Sequence, residues 1–442
     1  MNKYAFILGR KHLLSIAELA QFLKEENILE TNNEALIAKL DPKFSTEAKA
    51  DSAPSATPSA SPSESPFDFQ AILNRLGGTI KIAEIFEEIP SSQKDTIAHA
   101  LANHIQEKFE GVTSKIIYGI SAYNLKQRHD QFLRRTLKKV KIQLVDAGFK
   151  SRFINKNFTN PENAALKGEK ILQEGVELVV IEGRTQFYLA ETKALQDFEG
   201  YSKRDYDRPA RDPRLGMLPP KLCQIMLNLS GVSSDPSQNQ TPPKTIYDPF
   251  CGIGTVLTEA LNMGFNVIGS DIEPVVIEKS QTNIEYVKQL QSGPNRAQFP
   301  SASLFVQDAT QLIARDLPAK IDAIVTESYL GPPVSKMPIP ENVEKTFDNI
   351  KALIFGFLKA VGKIIKPGTP IVISVPVYRD HQKFHFIEGL SEIIPRLGYD
   401  TEPLIPDQLA QREGLRMFQR PTLVYDRPDQ IVGREIWKLV KK

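Results

Sequence analysis

The sequence predicts an α/β protein in two parts. A doubly wound, mostly parallel domain runs from about residue 216 to 442, behind a smaller α+β module. Three observations carry this. The stretch TIYDPFCGIGTVLTEALNMGFNVIGSD, residues 245–271, has the order strand, glycine loop, helix, strand. Strand and helix signals keep alternating after it, as βαβ crossovers require. Before residue 190 the elements are shorter, and one run of Ser, Ala and Pro interrupts them.

The 442 residues suffice for two or three domains with a sizeable core. With 24% charged and 41% hydrophobic residues, most of the chain reads as globular. A net charge of +2 excludes a uniformly basic nucleic-acid binder and leaves room for a local basic face. The two cysteines, Cys223 and Cys251, are far apart, which argues against a disulfide framework or a cysteine zinc site and fits a reducing cytoplasm. The first residues, MNKYAFILGRKHLL, hold too short an apolar run for a signal peptide, and no later window reaches the length of a membrane span. A soluble, cytoplasmic protein without a membrane partner is the expectation.

In order, KYAFIL at residues 3–8 predicts a strand and Gly9-Arg10 a turn. Ser15 with Glu18 three residues on has the spacing of a capping box opening a helix. Phe44 to Pro66 is a Ser/Ala/Pro insertion that cannot bury enough apolar area to offset its ordering entropy, so it reads as disordered. A helix, turn and strand follow around Leu76-Gly77-Gly78-Thr79, then a helix over 96–109 and a strand over 116–120. Residues 124–148 form a helical pattern rich in Lys126, Arg128, Arg134, Arg135, Lys138, Lys139 and Lys141. These make a candidate basic binding face, or simply the solvated face of a helix. Strands follow over 149–153, 176–181 and 186–190. Residues 190–214, with SKRDYDRPARDPR, read as a charged loop suited to domain docking or phosphate contact. The predicted units are therefore 1–110 with its insertion at 44–66, 111–192, a linker 193–215, and 216–442.

In the last unit Leu218-Pro219-Pro220 opens a helix to Leu229, and residues 230–243 form a polar loop. After the glycine unit come a helix over 274–290, a strand ending at Asp308, and a strand ending in Thr326-Glu327-Ser328-Tyr329. A long amphipathic helix spans 341–365, with Val343, Phe347, Ile350, Ile354, Phe357, Val361 and Ile364 on one face. The apolar run 370–376 suits a central parallel strand. Two closing strands are predicted over 399–404 and 421–425.

Ligands of such a sheet sit at the carboxyl ends of its strands. A pyrophosphate binder wants a third glycine, but Leu257 stands three residues after Gly254. Asp248 would also repel a phosphate brought to a helix N-terminus. S-adenosylmethionine (SAM) carries an ammonium and a sulfonium that a carboxylate attracts. The candidate cofactor-binding residues are Asp248 for the ammonium, Phe250, Cys251, Gly252, Gly254 and Thr255 in the loop, Asp271 with Ile272 for the ribose, and Asp308 with Ala309 for adenine. The blander alternative is a glycine turn in an ordinary crossover. Glu327, Ser328 and Tyr329 are the candidate catalytic residues. A carboxylate and a carbonyl can accept the hydrogens of an exocyclic amine while an aromatic ring holds the base. His381 and His385 have the i, i+4 spacing of a metal pair on a helix, but no third ligand is evident, so no metal is expected. No G-x-S-x-G elbow suggests a serine nucleophile.

Taken together, FILGRKHLLSIAEL, YGISAYN, RDYDRPARDPRLGMLPPKL, DPFCGIGTVLTEAL and VGREIW make the chain resemble the THUMP-domain RNA methyltransferases, most of all the tRNA guanosine-10 N2-methyltransferase group. The resemblance implies an N-terminal ferredoxin-like plus THUMP module that grips tRNA, and a Rossmann-like catalytic domain using SAM. It implies an RNA-binding role for Lys126 to Lys141 and leaves open a small activating partner protein. In the family, D-P-P-Y ends the fourth strand. Here Glu327 stands for the acid, Ser328 and Tyr329 for the prolines, and Leu330 for the aromatic. The expected function is methylation of the N2 amine of a tRNA guanosine. A non-catalytic RNA-binding relic, or an amino-methyltransferase on ribosomal RNA or DNA adenine, are the alternatives.

Overall fold

Two β-sheets carry the chain. The computed structural model describes residues 2–40, 67–211, 217–233, 243–291, 299–313, 317, 320–381 and 383–442. The Ser/Ala/Pro insertion expected at 44–66, the proposed domain start at 216 and most of the polar loop 230–243 lie outside the described residues.

The first sheet contains β1 (Lys3–Leu8), β2 (Ile28–Thr31), β3 (Ala35–Lys39), β4 (Thr79–Pro90), β5 (Ile116–Tyr123), β6 (Ser151–Phe153), β7 (Val176–Glu182) and β8 (Gln186–Leu195), in the order β2-β3-β1-β4-β8-β7-β5-β6. Its longest pairing joins β4 to β8 from Lys81↔Leu195 to Pro90↔Gln186. The hydrogen-bonded sheet is thus continuous across residue 110. Helices α1 (His12–Leu23), α2 (Ile97–Lys108) and α3 (His129–Asp146) pack on it. In α3, Phe132, Leu133, Thr136, Leu137, Val140 and Leu144 face the sheet, which leaves Arg134, Arg135, Lys138 and Lys139 on the solvent side.

Ser15 and Glu18 do not open α1, whose N-cap is Lys11. Both lie inside the helix. Ser15 Oγ donates to the Gly78 carbonyl at 2.8 Å. The Glu18 carboxylate accepts the Gly77 and Gly78 amides at 2.9 and 2.8 Å and the Asn228 side chain at 2.7 Å. The S-x-x-E spacing serves a tertiary clamp instead of a cap, because residues three apart share one helix face wherever they fall in the helix.

The second sheet holds β9 (Thr245–Asp248), β10 (Asn266–Asp271), β11 (Ala302–Val306), β12 (Ala323–Glu327), β13 (Pro370–Asp380), β14 (Lys383–His385), β15 (Tyr399–Glu402), β16 (Leu423–Tyr425) and β17 (Val432–Lys441). Its order is β11-β10-β9-β12-β13-β17-β15, with β14 on β13 and β16 on β17. The first five strands are parallel and β17 is antiparallel to both neighbours. The direction of strand order reverses between β9 and β12, which makes that crevice the switch point. Helices α4 (Pro220–Leu229), α5 (Thr255–Asn262) and α6 (Pro274–Leu290) cover one face, and α7 (Pro340–Val361) covers the other with Val343, Phe347, Ile350, Ile354, Phe357 and Val361 buried. Each such burial contributes about 1.5–3 kcal/mol before chain entropy is counted. Ile364 lies past the end of that helix, partly buried against the same core.

The sequence patterns miss β17. Its charged residues Arg434, Glu435 and Lys438 are buried and paired, so a strand between two others reads as polar surface. The stretch 190–214 is also more regular than expected: β8 continues to Leu195 and a helix spans Phe198–Asp205. Between the sheets, α1 lies against α4, which in turn lies against α5, and one apolar core runs through all three. Among the described residues, no helix is long and apolar enough to cross a membrane.

Candidate active site

Asp248 forms the floor of the switch-point crevice. Register places Gly269 of β10 opposite Asp248, and Tyr247 opposite Ile324 of β12. Asp271 and Glu327 each therefore extend two residues past Asp248, about 7 Å, on its two sides. Three carboxylates meet at one end of three adjacent strands.

Asp248 is only 2% exposed. Its Oδ1 accepts the Thr326 hydroxyl at 2.6 Å and the Phe250 amide at 3.2 Å. Burial pushes its carboxyl up to about 7; those two hydrogen bonds pull it down, and the charges of Asp271 and Glu327 add to the rise. The other acids around Cys223 of α4, Glu259 buried and Glu327 partly buried, have cations: Glu259 pairs with Arg204 at 2.8 Å and Glu327 with Arg434 at 2.5 Å. Among the described residues no cation pairs with Asp248. Its environment is one that an incoming positive group would complete.

The glycine loop explains its own residues. Gly254, at φ +82°, caps α5, and a Cβ there would lie 2.3 Å from Ser280 Oγ. Gly252, at φ +51°, donates its amide to Asp271 Oδ2 at 2.9 Å, and a Cβ on it would meet nothing within 4 Å. The loop backbone is thus packed below at Gly254 and open above at Gly252. Cys251 is buried, with its amide on the Ser270 carbonyl at 2.9 Å. Phe250 leans edge-on against Phe357 of α7, with ring centres 5.4 Å apart. Thr255 accepts from the buried Arg208 at 2.8 Å.

Asp271 also accepts the Glu273 amide at 3.1 Å, and Ile272 beside it is 60% exposed, a bare apolar surface at the crevice rim. Asp308 caps a short 3₁₀ turn, taking the Thr310 amide and hydroxyl at 2.8 and 2.7 Å and Gln311 Nε2 at 3.0 Å. Those bonds, the Thr310 amide first, hold its carboxyl below the usual range. Ala309 is buried in that turn.

On the opposite wall, Ser328 donates its amide to the Ser374 carbonyl at 2.9 Å, while its hydroxyl is buried with no hydrogen-bond partner among the described residues. Tyr329 is 55% exposed, so its ring is available to a ligand and is not core packing. Gly331, at φ +90°, passes close to the buried Tyr378 hydroxyl.

The charged stretch 203–211 serves domain docking in part: Arg204 and Arg208 turn inward onto Glu259 and Thr255. His381 and His385 share no helix face. His381 sits at φ +51° in the turn after β13, and His385 is on β14. No group of three metal-binding side chains occurs among the described residues. On α3, Arg134 stacks over Phe158 at 4.7 Å, and Arg135 and Lys139 line a shallow notch with Lys94 and Phe132. Arg128 reaches Asp130 at 3.4 Å with both side chains exposed, and the exposed Lys126 lies 3.8 Å from the buried Glu182. The residue that the patterns overlooked is Arg434, for the same reason that β17 was overlooked.

Among curated proteins, the chain is 30% identical over 196 residues to the tRNA (guanine(10)-N2)-dimethyltransferase of Methanothermobacter thermautotrophicus, covering 44% of this chain and 49% of that protein. It is 33% identical over 84 residues to the enzyme of the same name from Pyrococcus abyssi, covering 19% and 21%. The chain thus spans about half the length of the first relative and about a fifth of the second. The solved structure of TrmN from Thermus thermophilus aligns over 100% of both chains at 14% identity, with a TM-score of 0.49. Across residues 208–327, the stretch from Arg208 through the glycine loop to Glu327, the chain is similar to the family described as RMKL-like, methyltransferase domain.

Proposed function

We propose that the protein is a SAM-dependent RNA methyltransferase that methylates the exocyclic N2 amine of a guanosine in tRNA. The observation that carries the reading is Asp248: a buried carboxylate with no counter-cation among the described residues, on the floor of a glycine-lined crevice at the switch point. A dinucleotide would bring phosphate to that charge, whereas SAM brings an ammonium and a sulfonium. When bound, SAM supplies an electrophilic methyl group on sulfur.

The chain's residues then have distinct tasks. Asp248 takes up the positive charge and stays ionised in doing so. The open side of Gly252 lets a ligand approach the backbone, and Asp271 presents its remaining lone pairs to ribose hydroxyls. Asp308 and the apolar surface of Ile272 bound the adenine side. On the far wall Glu327 accepts hydrogens of the target amine, the carbonyl of Ser328 offers a second acceptor, and Tyr329 gives a ring face for the base. Such alignment is worth about 7–11 kcal/mol at best. The outward basic residues of α3, Arg134, Arg135, Lys138 and Lys139, track the phosphate backbone. We read residues 1–192 as the ferredoxin-like and THUMP module that presents the tRNA, 193–215 as the linker, and 216–442 as the catalytic domain, working in the cytoplasm.

The test is purified protein with methyl-labelled SAM and unmodified tRNA, with ribosomal RNA and DNA as parallel acceptors. Label in tRNA N2-methylguanosine is expected. SAM binding without transfer to any nucleic acid would refute the reading, and transfer to DNA adenine alone would move it to the other amine chemistry.

A further inference from the structure

Glu327 carries one methylene more than an aspartate, and its carboxylate meets Arg434. Arg434 stands on β17, two residues beyond Ile436 toward the ligand end; Ile436 is paired with Ser374, which is itself paired with Glu327. The guanidinium Nε donates to Glu327 Oε1 at 2.5 Å, and Arg434 is 5% exposed. The groups that bear on Glu327 from the surrounding elements are Asp248 from β9, the Cys223 thiol from α4, Ser374 from β13 and Arg434 from β17. Arg434 is the one cation in that set. On the next residue, Glu435 is tied separately to Arg420 at 2.8 Å and to Thr422 at 2.7 Å, so the neighbouring acid does not compete for Arg434.

Two carboxylates at adjacent strand ends, Asp248 buried and Glu327 partly buried, oppose each other's ionisation. A protonated Glu327 would donate a hydrogen where the target amine needs an acceptor. Glutamate also carries one more torsion than aspartate, and an unanchored carboxylate would sample several directions. Resting on the methyl-transfer reading above, we propose that Arg434 is a positioning residue: it holds Glu327 ionised and fixed in direction, so that the longer acid can act as the amine acceptor. Burial raises the Glu327 carboxyl and Arg434 opposes the rise, which agrees with this division of work. A guanidinium suits the task because it remains charged when buried and donates in a fixed plane.

The experiment compares the wild type with Arg434→Met and Arg434→Lys, with Arg434→Gln as the second neutral variant should methionine not fold. Two readouts are taken. The first is the infrared band of a protonated carboxyl, assigned by its loss on Glu327→Gln and titrated from pH 5.5 to 9 without RNA. The second is the pH profile of methyl transfer to tRNA, alongside SAM affinity. In the neutral variants the Glu327 band should persist at least one pH unit higher than in the wild type. The acid limb of kcat should move with it, kcat at pH 7 should fall at least tenfold, and SAM Kd should change less than threefold. Lysine should keep the limb near the wild-type pH at a reduced kcat. A neutral variant whose Glu327 titrates as in the wild type overturns the proposal, whether or not the enzyme transfers methyl groups. Wild-type inactivity on every RNA, with the band moving as expected, would instead refute the methyltransferase reading and leave the ion-pair role established.

Discussion

Replacing Asp248 by asparagine should weaken the ligand site and stabilise the protein, and pH separates the two effects. Asp248 is buried with no cation among the described residues, and its carboxyl is pushed up to about 7 against about 3.8 for an unperturbed aspartate. Because the folded value is raised, the folded state holds a proton between about pH 4 and 7 that the unfolded state has released. Stability therefore falls as pH rises through that window and stays low above it. A difference of about 3 in pKa, at about 1.4 kcal/mol each, gives at most about 4 kcal/mol lost at pH 8. Asparagine has nothing to ionise and can still accept from Thr326 and the Phe250 amide. Urea unfolding should then show Asp248→Asn more stable than the wild type at pH 8, by about 1–4 kcal/mol, with the gap shrinking to about two-fifths of that at pH 5 and closing only near about pH 3.5. Cation binding has the opposite dependence. The wild type must lose the Asp248 proton to pair with an ammonium, so SAM affinity should weaken about tenfold for each pH unit below 7, and Asp248→Asn should bind weakly at every pH. Calorimetric titration at pH 6, 7 and 8 reads this directly. Equal SAM affinity in wild type and variant, or equal stability at pH 8, would refute the claim that Asp248 is a carboxylate awaiting a positive partner.

Three further predictions follow from the same geometry. Asp271→Ala should weaken SAM binding by about 1–3 kcal/mol, since it also frees the Gly252 amide, whereas Glu327→Ala should leave binding within a few-fold and abolish turnover; the reverse pattern would invert the assigned roles. Gly254→Ala places a Cβ against Ser280 at a positive φ, so it should cost about 1–3 kcal/mol of stability and most of the SAM affinity, and wild-type binding in calorimetry would contradict the close packing. Exchanging Lys138 and Lys139 for glutamate should lower tRNA affinity and flatten its salt dependence without touching SAM binding, because both side chains point to solvent on α3; an unchanged salt slope would return that face to ordinary surface.

Local patterns in the sequence carry much of this molecule. The β-loop-α-β unit, the apolar face of α7 and the helices beginning at Pro220 and Pro274 were legible because each is built from contacts within one element or one turn. Glycines at positive φ, a proline at a helix start and residues recurring at helical spacing all act locally. The three carboxylates Asp248, Asp271 and Glu327 were legible for the same reason, since a strand end is marked by the turn that follows it. What the sequence could not decide is which charges are paired across distance. Ser15 and Glu18 have the spacing of a cap and serve as a clamp on Gly77, Gly78 and Asn228. Arg204 and Arg208 lie in a stretch legible only as a charged loop for docking or phosphate contact, and Arg434 in one with no predicted element; all three turn inward, and β17 was hidden because its charges are neutralised by residues far along the chain. Burying a charge is costly unless a partner meets it, and only the tertiary structure assigns the partners. It gives one to Glu259 and one to Glu327 and, among the described residues, leaves Asp248 with none.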